Sequence, residues 1–180
     1  MLLRQPVTTL AADGTDVAFV FCGQLIGVWR PGAHAVRELN GFATGGIDCP
    51  TNVADRGPPV GTVDGLAVAG KTVAWILSTG ANLVENMLGL ANLGQPGQGA
   101  LVARTAHIRD DPTGRNDRFT NLVGHGSTLA SASAVECNDP GAPICPPGQR
   151  FPSLVRQTVW LVHSGTRSAT VSEGSAPVIR

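Results

Sequence analysis

The sequence is poor in charge, in aromatics and in long apolar runs. Charged residues make up 14% of its 180 residues and aromatics 4%. The 13 Lys and Arg balance the 13 Asp and Glu, so the formal net charge is zero. A neutral chain has no global field to gather nucleic acid or an anionic membrane surface, and neither is an expected partner. No apolar run approaches the roughly 20 residues that a spanning helix needs, which argues against membrane insertion. Disorder is excluded from the other side, because 42% hydrophobic residues with so little charge is a core-forming composition.

The motifs that announce chemistry are also missing. No two cysteines form a C-x-x-C pair, which a zinc site uses to pre-organise half its tetrahedron. Gly45-Gly46 and the glycines of 94–99 lack the G-K-[ST] of a phosphate loop. Asp110-Asp111-Pro112 and Arg115-Asn116-Asp117-Arg118 read as a charge-mixed, solvated turn without the calcium-loop pattern. Gly124-His125-Gly126-Ser127 is not a G-x-S-x-G elbow. His34, His107 and His163 share no local motif with one another or with a carboxylate. No residue is therefore assigned a catalytic, cofactor-binding or metal-ligating role, and no cofactor is expected.

What the chain has is punctuation. Its 23 Gly and 13 Pro are dispersed among short Val, Leu and Ala runs, the pattern of many short strands joined by turns. Cys137 and Cys145 bracket a Pro- and Gly-containing loop that a disulfide closes easily, and Cys22 with Cys49 supplies a second pair. An even count in loop positions favours an exported protein, periplasmic or extracellular, over four free thiols in a cytosolic one. Residues 1–5 carry no signal-peptide pattern, so export requires a leader outside this sequence.

Three segments align without gaps: 7–20 (VTTLAADGTDVAFV), 63–76 (VDGLAVAGKTVAWI) and 119–132 (FTNLVGHGSTLASA), spaced by 56 residues both times. Leu10, Leu66 and Leu122 coincide, as do Gly14, Gly70 and Gly126, and Ala18, Ala74 and Ala130. Each segment is an apolar run, a turn with Gly at a fixed place, and a second apolar run. Gly tolerates the positive φ that tight hairpins demand, and Asp13-Gly14 is a favourable turn dipeptide. The second runs, 17–20 and 73–76, are apolar throughout, which predicts strands buried on both faces. Two further strands are predicted after each hairpin: 25–29 and 35–39, then 82–91 and 100–108, then 158–163 and 168–171. The stretch 83–93 also fits a short helix through Leu83, Met87, Leu90 and Ala91. Trp29, Trp75 and Trp160 all fall in predicted strands, where core packing accounts for them.

Leu10 to Val20, followed by Ile26-Gly27-Val28-Trp29, resembles a blade of the TolB-like and WD40-like bacterial β-propeller families. The resemblance implies an all-β fold, a partial β-propeller of about three four-stranded antiparallel blades at 6–42, 62–109 and 118–172 within one repeat domain. Residues 175–180 then begin a further blade or closing strand. A β-trefoil or another closed threefold β fold is the alternative. Propellers of this kind serve as binding platforms, so a non-catalytic scaffold or binding module for a protein or small ligand is the leading expectation. A propeller hydrolase or lyase whose site is completed by other blades, and a carbohydrate-binding trefoil, are the competing readings. Exposed blade edges favour self-association or pairing with another chain. Specific recognition is expected in the long loops at 40–61 and 134–152.

Overall fold

The repeated glycines set the local structure. In each repeat the strand before the turn ends one residue short of Gly, and a two-residue turn reverses the chain. Asp13 pairs with Asp16, Ala69 with Thr72, and His125 with Thr128. Gly14, Gly70 and Gly126 have φ of 73°, 56° and 56°. Asp13 is thus the last paired residue before the first turn rather than a central turn residue. In the second and third turns only the first central residue has positive φ, the pattern of a type II′ hairpin.

A computed structural model of the chain describes residues 7–14, 16–22, 25–39, 61–80, 82–94, 100–108, 115–137, 153–163 and 166–172. The fold is all-β, with no helix among the described residues. Among the described residues, twelve strands form three four-stranded sheets. The first holds β1 (Val7–Asp13), β2 (Asp16–Phe21), β3 (Leu25–Trp29) and β4 (Arg37–Glu38). The second holds β5 (Thr62–Ala69), β6 (Thr72–Gly80), β7 (Leu83–Asn92) and β8 (Ala100–Ile108). The third holds β9 (Arg115–His125), β10 (Thr128–Cys137), β11 (Ser153–His163) and β12 (Thr166–Ser172). Within each sheet the strands lie in chain order and every pair is antiparallel, which makes each sheet a meander like a propeller blade. Three separate meanders are not the single closed barrel that a trefoil requires, so that alternative is set aside.

Period-two alternation stacks the sheets. In β6, Val73, Trp75 and Leu77 join Ala18, Val20, Ile26 and Val28 of the first sheet in one apolar cluster. The intervening Ala74 and Ile76 join Phe119 and Leu129 of the third sheet in another. The middle sheet is therefore covered on both faces, as its unbroken apolar run implies. The first sheet carries a further cluster of Phe19, Phe21 and Leu25 on its other face. The aligned leucines follow the stacking order. Leu66 packs toward the first sheet and Leu122 toward the second. No described sheet precedes β1, and Leu10 is 65% exposed.

The first strands β1, β5 and β9 run beside one another and hold the sheets together. The Gly70 amide donates to Asp13 Oδ2 at 2.9 Å, joining the first two hairpins. A Cβ on Gly70 would lie 3.3 Å from the Gly126 carbonyl, and one on Gly124 would lie 2.3 Å from the Val68 carbonyl. At these two places β9 and its turn approach the second blade backbone to backbone. Asp13 thus has a role between blades. That fits its absence from the other two copies, where Ala69 and His125 stand.

Several sequence expectations change. The strand expected at 82–91 forms as β7 (Leu83–Asn92), and the helical alternative for 83–93 is set aside, because β7 pairs with β6 from Val84 to Asn92 and with β8 from Leu83 to Leu90. Arg115–Arg118 belong to β9 rather than a solvated turn, since each pairs across to β10. Residues 134–137 continue β10 instead of opening a loop, β11 begins at Ser153, and β4 is only two residues long. The loop at 40–60, Cys49, Cys145, residues 95–99, Asp110-Asp111-Pro112 and the tail at 175–180 lie outside the described residues.

Candidate functional site

Each first strand departs from regular pairing at one place. On β1 the register passes from Val7 to Thr9 while β2 advances one residue, so Thr8 is extra. On β5 the extra residue is Asp64, and on β9 it is Thr120. These three occupy the same column of the repeat alignment. A β-bulge turns the local strand and re-aims the side chains beside it. Here the residues beside the three bulges converge on one pocket.

That pocket encloses about 480 Å³ where β1, β5 and β9 meet. Thr9 reaches it from the first sheet, Asp64 and Gly65 from the second, and Asn121 from the third. Leu66, Ile76, Phe119 and Leu122 supply apolar wall, and Asn86 and Arg118 complete the polar side. Gly65 stands in the column that holds Thr9 and Asn121 in the other copies. Its missing side chain lets Ile76 pack against the strand there, where a Cβ would lie 3.0 Å from Ile76 Cδ1.

Hydrogen bonds orient much of the polar lining. Thr62 Oγ1 donates to Asp64 Oδ1 at 2.9 Å, and Ser78 Oγ contacts Asp64 Oδ2 closely. Ser78 Oγ also lies 2.8 Å from Asn86 Oδ1. Its single proton serves one of these acceptors at a time. Asn86 is buried, and its Nδ2 donates to the Asp117 carbonyl at 3.4 Å, to which Thr105 Oγ1 also donates at 3.3 Å. Arg118 forms a bidentate pair with Glu136, its Nε to Oε2 at 3.0 Å and its Nη2 to Oε1 at 2.9 Å. Asp64 has no cationic partner among the described residues. The Thr9 hydroxyl and the Asn121 side-chain amide have no hydrogen-bond partner among them either. Ser131 Oγ donates to the Asn121 carbonyl at 2.8 Å and so satisfies the backbone next to the third bulge.

The residues considered from sequence lie elsewhere. His34 is exposed after the turn at Pro31-Gly32, and His125 is exposed at the third hairpin. His107 lies in β8 and His163 ends β11. Gly124-His125-Gly126-Ser127 is the third hairpin, its Gly124 occupied with the approach to Val68. Among the described residues no group of three or more His, Cys, Asp or Glu is placed to hold a metal ion. Trp29 donates from Nε1 to the Ala33 carbonyl at 3.0 Å. Trp75 is buried, and its Nε1 has no hydrogen-bond partner among the described residues. Neither Cys22 nor Cys137 is a free thiol.

Asp16, buried at the start of β2, takes a bidentate bond from Arg30 at 3.1 and 2.9 Å. The hydrogen bond first, and the carboxylate charge second, raise the Arg30 guanidinium above its ordinary value. This pair ties the hairpin to the end of β3 and stands apart from the pocket.

Sequence reasoning missed Thr9, Asp64, Asn86 and Asn121, and it read Arg118 as part of a solvated turn. One signal was available. The second and third positions of the aligned repeats read Thr8-Thr9, Asp64-Gly65 and Thr120-Asn121, polar or Gly in every copy of an otherwise apolar run.

No protein-family model matches the chain, and no curated protein matches it.

Proposed function

We propose that this chain is a non-catalytic binding module, built as blades of a propeller of the TolB-like or WD40-like kind, that holds a small ligand where the first strands of the three blades meet. One observation carries the reading: the bulge repeated at Thr8, Asp64 and Thr120 aims Thr9, Asp64 and Asn121 into a common pocket. Oriented polar groups beside the apolar side chains of Leu66, Ile76, Phe119 and Leu122 suit a small ligand that carries polar groups, and the volume lies in the usual range of roughly 300–1,000 Å³ for small-molecule sites. Groups from three blades define the pocket, so a ligand there reads their relative placement.

The test is a ligand screen by thermal shift on the whole chain and on Gly65→Thr, which places in the second blade the side chain that the first carries. Ligands that raise the melting temperature of the parent and not of the variant support the reading. A screen in which every stabilising compound acts equally on both counts against it.

The proposal extends to compartment. The bonded state of Cys22 and Cys137 supports bridges to Cys49 and Cys145 and an exported, oxidising setting. Mass mapping of non-reduced peptides is expected to find Cys22 joined to Cys49 and Cys137 to Cys145. Other connectivities, or four free thiols, would remove that support.

A further inference from the structure

The charges at the pocket are unequal, and from this we infer the ligand's chemistry: the pocket takes a primary alkylammonium group, seated on the Asp64 carboxylate with its carbon chain along Leu66, Ile76, Phe119 and Leu122. The inference rests on the proposed pocket and adds to it.

Two lining residues carry formal charge, Asp64 and Arg118. Arg118 is already neutralised, both its Nε and its Nη2 being held by the Glu136 carboxylate. Among the described residues, Asp64 is held only by neutral hydroxyls, those of Thr62 and Ser78. A carboxylate has about four lone-pair directions. Two hydroxyls leave acceptor capacity open while fixing the group's orientation. The pocket therefore has one net negative charge, located at Asp64. An anionic ligand would meet that charge with no free cation to offset it. A neutral one would leave it unpaired as solvent is displaced. A cation with three donors and an aliphatic stem satisfies both the carboxylate and the apolar wall. The Thr9 hydroxyl and the Asn121 amide remain free to meet a polar group farther along such a ligand.

The same group occurs on a free diamine and on a lysine side chain, and the experiment separates these sources. The intact protein is titrated calorimetrically with 1,4-diaminobutane, with a lysine blocked at both ends, and with 1,4-butanediol as the neutral control. Binding of at least one amine, with the diol at least tenfold weaker, is expected. Asp64→Asn keeps the shape: it can accept from Thr62 through Oδ1 and donate from Nδ2 to Ser78 Oγ while that hydroxyl donates to Asn86 Oδ1. It should weaken amine binding roughly tenfold, the scale of one charge-assisted hydrogen bond. Preference for the diamine assigns a free amine, and preference for the blocked lysine assigns a peptide side chain. Amine binding should also weaken as salt rises, because Asp64 is exposed. Equal binding of diol and amine, or an Asp64→Asn variant that binds amines as the parent does, overturns the inference. If the diol binds and Gly65→Thr or Asn121→Leu abolishes it, the pocket survives and only the ammonium is wrong. If no compound responds to either of those substitutions, the pocket reading fails as well.

Discussion

Two glycines in the blades are required by aromatic rings across the sheet. Gly89 pairs with Trp75, and a Cβ there would lie 2.2 Å from Trp75 Cε2. Gly27 pairs with Phe19 in the same cell of the first blade, with a Cβ 2.7 Å from Phe19 Cζ. In the third blade the pair is Ser131 with Trp160, so the large residue has moved to the neighbouring strand. Trp75 and Trp160 do not align in sequence because strand neighbours, not chain positions, define this cell; Trp29 lies outside it, paired with Val17. Gly89→Ala is expected to destabilise by about 1–3 kcal/mol through overpacking, visible in urea unfolding. Gly124→Ala should cost at least as much, because the obstacle is the Val68 backbone carbonyl 2.3 Å away and not a mobile ring end. Gly126→Ala meets nothing within 4 Å, so its cost should be only the left-handed backbone term of about 1–2 kcal/mol. If Gly126→Ala proved worse than Gly124→Ala, the assigned roles of these residues would be wrong. Gly14, Gly70 and Gly126 were legible from alignment, because a turn is a local requirement. Gly27, Gly89 and Gly124 were not, because their constraint comes from another strand.

At the scale of elements, β6 is the best protected. It is paired on both edges, and Val73 to Leu77 are buried on both faces between the outer sheets. Its amides are expected to exchange more slowly than those of β1, whose outward residues are exposed and which has a strand on one side only in its sheet. Hydrogen exchange by NMR measures this directly, and comparable rates in β1 and β6 would contradict the stacking. The hairpin cores of all three elements were readable from pattern. The extent of β9 and β10 was not. Arg115, Asp117, Arg118 and Glu136 look like loop residues by composition. In the sheet, Arg118 reaches across to Glu136, and Arg115 closes on Asp117 at 2.8 and 2.5 Å. The cross-strand pair of Arg118 with Glu136, and the pair of Arg115 with Asp117 along β9, let polar residues extend the strand beyond its apolar run. Arg118→Ala should cost no more than about 1 kcal/mol of stability, since the pair is partly exposed.

At the scale of the molecule, Asp13 and Gly70 join the first two blades through one bond, so Asp13→Ala should lower stability by about 0.5–1.5 kcal/mol while leaving each hairpin intact. Alone, the sequence determined the all-β class, the threefold repeat, the turn glycines and the double-sided burial of the middle blade. All of these follow from local backbone chemistry and from period-two alternation, which any chain carries in its own order of residues. The tertiary structure decided the rest. The pocket consists of Thr9, Asp64 and Asn121, far apart in the chain and each ordinary where it stands. Only a bulge in the same place on three adjacent strands turns them toward one another. Whether the charge of Asp64 or of Arg118 is compensated likewise depends on which side chain lies across the sheet, and pairing register sets that. The polar column was written in the repeats; its meaning required the sheets to stack.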